Sequence, residues 1–68
     1  MKIRVNGEVR LIQSNKSITL NETIQQLGYS SNTVVVELNG LIINSAEWND
    51  KYIKTGDKLE IVSIVGGG

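Results

Sequence analysis

Lys2-Ile3-Arg4-Val5-Asn6-Gly7-Glu8-Val9-Arg10-Leu11 carries the first clear structural signal in the chain. Ile3 and Val5 alternate with Lys2 and Arg4, the period of two that marks a half-buried strand. Asn6-Gly7 interrupts the alternation with two residues that tolerate positive φ, as a two-residue hairpin turn requires. The alternation resumes over residues 8–13, with Val9 and Leu11 expected inward and Glu8 and Arg10 outward. The chain therefore opens with a β-hairpin.

Beyond the hairpin, Ser14 to Ser17 is polar and reads as a loop. Thr19-Leu20-Asn21-Glu22 has the form of a capping box, in which hydroxyl and carboxylate each satisfy the other residue's backbone N–H. Leu20, Ile24 and Leu27 follow at helical spacing, and Gly28 stands where a left-handed C-cap excludes Cβ. Such a short helix does not persist alone, so its apolar stripe must pack on a sheet. Thr33 to Asn39 is β-rich, with Val34, Val36 and Leu38 on one face and Val35 and Glu37 on the other. Asn39-Gly40 is a second turn signal, leading into a short strand over residues 41–43. Ser45 to Trp48 suits a single helical turn, and Asn49 to Asp57 reads mostly as loop, closed by a turn at Thr55-Gly56-Asp57. A last strand runs from Lys58 to about Val65.

The order is hairpin, helix, hairpin, short turn and final strand. It predicts an α+β domain over residues 1–65, a mixed four- to five-stranded sheet packed on one helix, with a flexible glycine tail at residues 66–68. The β-grasp accommodates this order by laying the last strand parallel to the first in mid-sheet. Periodicity supplies the order of elements and leaves that pairing open.

Composition narrows the function. The 68 residues include no cysteine and no histidine, so neither a disulfide nor a Cys/His zinc site can brace the fold. Phe is absent, which points to an aliphatic core of Val, Ile and Leu. Seven basic and seven acidic residues cancel, against the basic surplus of a nucleic-acid binder. The apolar runs are far too short for a membrane span, and charged Arg4 stands where a signal peptide would become apolar. A cytoplasmic protein is expected. Without His or Cys there is no neutral-pH general base and no thiol nucleophile, and no serine has a histidine to activate it. Gly66 to Gly68 precede no helix, so they form no phosphate loop. Asp57 is accounted for by its turn. The expectation is a non-enzyme with no bound cofactor and no metal.

On the final strand Leu59 and Ile61 share a face and should enter the core. Val62 and Ile64 fall on the face of Glu60. The pattern leaves two readings open: a docking patch beside the C-terminus, or a central strand covered near its end. Gly66-Gly67-Gly68 is compatible with an ordinary frayed end. It also suits a narrow, unbranched tail of at most about 10 Å that threads a channel and delivers the Gly68 carboxylate to a buried centre.

The opening Met1-Lys2-Ile3-Arg4-Val5-Asn6-Gly7-Glu8, the helix end at residues 23–29, the segment at residues 34–40, Glu47-Trp48, residues 56–62 and the final Val65-Gly66-Gly67-Gly68 occur together in one order. In these the chain resembles the sulfur carriers of thiamine biosynthesis, the ThiS family, within the ubiquitin-like group that includes the molybdopterin synthase small subunit. The resemblance covers essentially the whole chain, and Gly67 and Gly68 are its most specific element. It departs at Asn44-Ser45, where the family often has a Pro-Arg-like segment, and at the polar stretch 49–54.

The resemblance implies a ubiquitin-like β-grasp and a defined cycle. A ThiF-type adenylating enzyme would use ATP and Mg to convert the Gly68 carboxylate to an acyl-adenylate. Sulfur drawn from cysteine through a desulfurase would replace AMP and leave a thiocarboxylate, which thiazole synthase would consume. Gly66 and Gly67 would thread the tail, and Val62 and Ile64 would contribute to docking. The rivals are a carrier for molybdopterin or tRNA thiolation, a modifier conjugated to lysines, and an interaction module with an inert tail.

Overall fold

A computed structural model describes residues 1–14 and 17–64. Strands β1 (Lys2–Val5) and β2 (Glu8–Leu11) form the opening hairpin, with Asn6 at φ 52° and Gly7 at φ 85° in its turn. Two short strands, β3 (Ile18–Thr19) and β6 (Tyr52–Ile53), pair with each other away from the main sheet. Helix α1 (Leu20–Gln26) follows β3 directly. A 3-10 turn at Ser31–Thr33 leads to β4 (Val34–Leu38). Strand β5 (Leu41–Ile43), a second 3-10 turn at Ser45–Glu47, β6 and finally β7 (Lys58–Ser63) complete the chain.

The main sheet has the order β2-β1-β7-β4-β5. Strand β7 lies at its centre, parallel to β1 and antiparallel to β4. This is the mixed five-stranded sheet with one helix of a ubiquitin-like β-grasp, as the element order led one to expect.

Helix α1 forms because both its ends are closed locally. Thr19 N donates to the Glu22 carboxylate at 2.9 Å, and Glu22 N donates to the Thr19 hydroxyl at 3.1 Å, completing the capping box. Two further amides at the helix start are met by the chain before β6: Leu20 N donates to the Lys51 carbonyl and Asn21 N to the Trp48 carbonyl. At the other end Tyr29 N donates to the Ile24 carbonyl and Gly28 N to the Gln25 carbonyl, the pair of bonds of a Schellman motif. Gly28 sits at φ 89°, which explains why glycine serves there.

The core lies between the sheet and α1. Ile3 and Val5 from β1, Val34 and Val36 from β4, and Leu59 and Ile61 from β7 meet Leu20 and Ile24 of the helix. It is not purely aliphatic, as the absence of Phe suggested. Trp48 is the largest fully buried side chain, and its indole N–H donates to the Ile43 carbonyl at 3.0 Å. That bond lets an aromatic with a polar edge sit inside without a desolvation penalty.

The expected facing of the second strand needs correction. Val9 and Leu11 do not point inward; they are exposed on the outer face, opposite Arg4 and Lys2 respectively. The two-residue turn sets this register by pairing Val5 with Glu8, which puts Glu8 and Arg10 on the core side at the sheet margin, where they remain exposed. The segment 49–57 is mostly loop and turn, as expected, but within it Tyr52–Ile53 pairs with Ile18–Thr19 and buries Ile53. The turn expected at its end is present, with Lys54 N donating to the Asp57 carboxylate at 2.7 Å.

Candidate functional site

Strand β7 is buried on one face and bare on the other. Leu59 and Ile61 are in the core, whereas Lys58, Glu60, Val62 and Ser63 are exposed. Its outer face continues onto both neighbours. Across β4, Val62 is paired with Val35 and Glu60 with Glu37; across β5, Glu37 is paired with Ile42. Paired residues share a face, so Val35, Val62 and Ile42 form one apolar surface beside Glu37 and Glu60. Val62 is 60% exposed, Ile64 56% and Ile42 71%. Four exposed apolar side chains at one end of a sheet exceed the scattered exposure of an ordinary surface.

Val62 and Ile64 therefore point outward, and the covered-strand reading of β7 is set aside. The sequence did not join them to Val35 and Ile42, because only the β4–β7 and β4–β5 registers bring the three strands side by side. The signal for Val35 was present in its alternation with Val34 and Val36. Ile64 N donates to the Thr33 carbonyl at 2.7 Å, which carries the strand direction past the 3-10 turn at Ser31–Thr33. Ile64, Val35 and Ile42 also line a surface hollow of about 370 Å³, together with Trp48. Gly66, Gly67 and Gly68 lie outside the described residues.

The rest of the outer face is mixed. Lys58 is paired with Arg4 across the parallel β1–β7 ladder, and Val9 and Leu11 occupy the far margin. The face thus runs from a basic row through an acidic row to an apolar end. Among the described residues no group of three or more His, Cys, Asp or Glu is placed to hold a metal ion. No described helix is long and apolar enough to cross a membrane.

Residues 3–68 match the sequence profile of the ThiS family. The chain belongs to the ThiS family. Among relatives of this ThiS-family chain, the sulfur carrier protein ThiS of Thermus thermophilus is 31% identical over 64 residues, covering 94% of the chain and 95% of that protein. A thiazole synthase of Paramagnetospirillum magneticum is 38% identical over 68 residues, all of this chain, which spans 20% of that protein. The crystal structure of thiamine biosynthesis protein ThiS from Geobacter metallireducens superposes with a TM-score of 0.83 at 29% identity, each chain covered completely. The ThiS profile match runs to residue 68 and so takes in the three final glycines of the sequence.

Proposed function

We propose that the chain is a sulfur carrier of thiamine biosynthesis whose working group is the Gly68 carboxylate. The observation that carries this reading is a ThiS match that runs unbroken to residue 68. A carboxylate is a poor electrophile. Adenylation by a ThiF-type enzyme with MgATP turns it into an acyl-adenylate with AMP as leaving group. The terminal sulfur of a desulfurase-derived persulfide attacks the acyl-adenylate and expels AMP, forming an acyl disulfide. A thiol then cleaves its S–S bond as the two-electron reductant and becomes a disulfide, leaving a thiocarboxylate that is ionised at neutral pH and a soft nucleophile. Thiazole synthase takes the sulfur from there. The name of the Paramagnetospirillum relative supports that choice of acceptor. The chain itself acts as a co-substrate, with the catalytic groups and the ATP and Mg supplied by its partners.

In this reading Gly66 and Gly67 thread the tail, since residues without Cβ pass a narrow channel. Val62 and Ile64 contribute to docking, together with Val35 and Ile42. The surface also offers an apolar anchor that ends, at Ile64, two residues before the first tail glycine in sequence.

The test is intact mass after incubation with a ThiF-type enzyme, MgATP and a sulfur source. We expect a species heavier by one sulfur-for-oxygen exchange, localised to Gly68. A variant extended by one residue beyond Gly68 should fold normally and take up no sulfur. Sulfur loading of the extended variant would sink the tail assignment. Isopeptide-linked conjugates through Gly68 would favour a protein modifier instead.

A further inference from the structure

The acidic row of the outer face has an arrangement that the isolated fold does not favour. Glu37 and Glu60 are directly opposed on adjacent antiparallel strands, β4 and β7. Directly opposed residues bring their Cβ atoms within about 5 Å, and like charges in that position are destabilising. The nearest cations on the face belong to the next row, about 7 Å further along the strands. In that row Lys58 is paired with Arg4, so two cations are set side by side there as well. The Arg4 guanidinium donates to the Gly7 carbonyl at 3.4 Å. Beyond the acidic row stand Val35 and Val62, and Ile42 flanks Glu37 within the row itself; none of the three offers a charge.

Resting on the carrier reading above, we propose that this face docks a partner protein that presents one arginine to the Glu37–Glu60 pair, with apolar side chains beside it on Val35, Val62 and Ile42. A guanidinium is planar and offers several N–H donors in a fixed fork, so it can bond both carboxylates at once. Its stem would lie along the valines, where a long basic side chain packs its methylenes. The charge pattern selects the occupant: an apolar partner surface alone would bury two unpaired carboxylates, at high cost. The paired glutamates thus act as a register key. They add specificity to an apolar patch that would otherwise accept many surfaces.

The experiment measures binding of the intact chain to the ThiF-type adenylating enzyme at several salt concentrations, alongside thermal unfolding of the free chain. Glu37→Gln and Glu60→Gln should each leave Tm equal or higher, because repulsion is relieved. Each should weaken binding about tenfold, the loss of one charge-assisted bond, and flatten the salt dependence of Kd. The double variant should lose little beyond either single one, since both carboxylates serve one cation. Val62→Asp serves as the control for the face. If it abolishes binding while both glutamine variants bind like the parent chain, the face docks without a cation and the proposal is wrong. If Val62→Asp also binds normally, the docking role of this face falls, and the proposal with it. A lower Tm in the glutamine variants would show that the pair is already neutralised within the fold. A dimer of the free chain that Glu37→Gln disperses would assign the face to a second copy instead.

Discussion

At the scale of single residues, Asn6 and Asn39 do more than make turns. Each has φ 52° as the first residue of an Asn-Gly turn, and each also aims its side chain at the central strand. Asn6 Oδ1 accepts from Ile61 N at 2.7 Å and its Nδ2 donates to the Ile61 carbonyl at 3.2 Å. These bonds continue the β1–β7 ladder beyond Val5, where β1 has already turned away. Asn39 Oδ1 accepts from Lys58 N at 2.9 Å, and its Nδ2 donates to the Asp57 carboxylate at 3.1 Å. Asn-Gly was legible as a turn from sequence, but the second role depends on which strand lies beside the turn. Asn6→Gly separates the two roles, because glycine keeps the positive φ and loses the side chain. We expect it to cost about 1–2 kcal/mol, from the unpaired backbone groups of Ile61, measured by urea unfolding. An unchanged midpoint would mean that water replaces both bonds without loss.

At the scale of elements, α1 is too short to stand on propensity, and its capping box was readable from Thr19 and Glu22 alone. The two bonds from Thr19, the backbone one first, hold the Glu22 carboxyl below its ordinary value. A group with a depressed folded pKa stabilises the fold where it is ionised. Its contribution is fully present above the ordinary glutamate range and fades as pH falls through the lowered folded value. The Tm of the parent chain should therefore fall on acidification below the ordinary glutamate range, about pH 4.3. In Glu22→Gln the component due to this residue should vanish and the profile flatten. Equal acid sensitivity in both proteins would rule the box out as a source of it. What the sequence did not show about α1 is its partner. The pair β3–β6 ties the helix start to the segment before the last strand, and strands of two residues leave no periodicity to detect.

At the scale of the molecule, Trp48 joins parts of the chain that are otherwise separate. Its indole N–H reaches the Ile43 carbonyl on β5, its own carbonyl accepts from Asn21 N at the start of α1, and its ring is 2% exposed in the core. A chain of 68 residues has little surplus stability to absorb a cavity. Trp48→Ala should cost about 3–5 kcal/mol, enough to leave much of the protein unfolded at room temperature. Trp48→Phe should cost less, from the lost hydrogen bond and some volume. The check is the far-ultraviolet circular dichroism melt of both variants. A fully folded Trp48→Ala protein would show that the sheet and helix hold without their common anchor.

The order of the five main-sheet strands and the helix, the Asn-Gly turns, the capping box, the Schellman glycine and the inward face of β7 were all determined by sequence alone, because each rests on spacing within a few residues. So were the exclusion of self-contained His or Cys catalysis and the resemblance to the ThiS family. Three things were decided only in three dimensions. Val9 and Leu11 face outward because the turn pairs Val5 with Glu8, and a register cannot be read from one strand. Trp48 is buried because the packed sheet and helix enclose it while the Ile43 carbonyl receives its N–H. The outer surface of Val35, Val62 and Ile42 beside Glu37 and Glu60 exists because β7 inserts between β1 and β4. Local patterns record what each segment must bury; which segments then share a face depends on pairings between residues far apart in the chain.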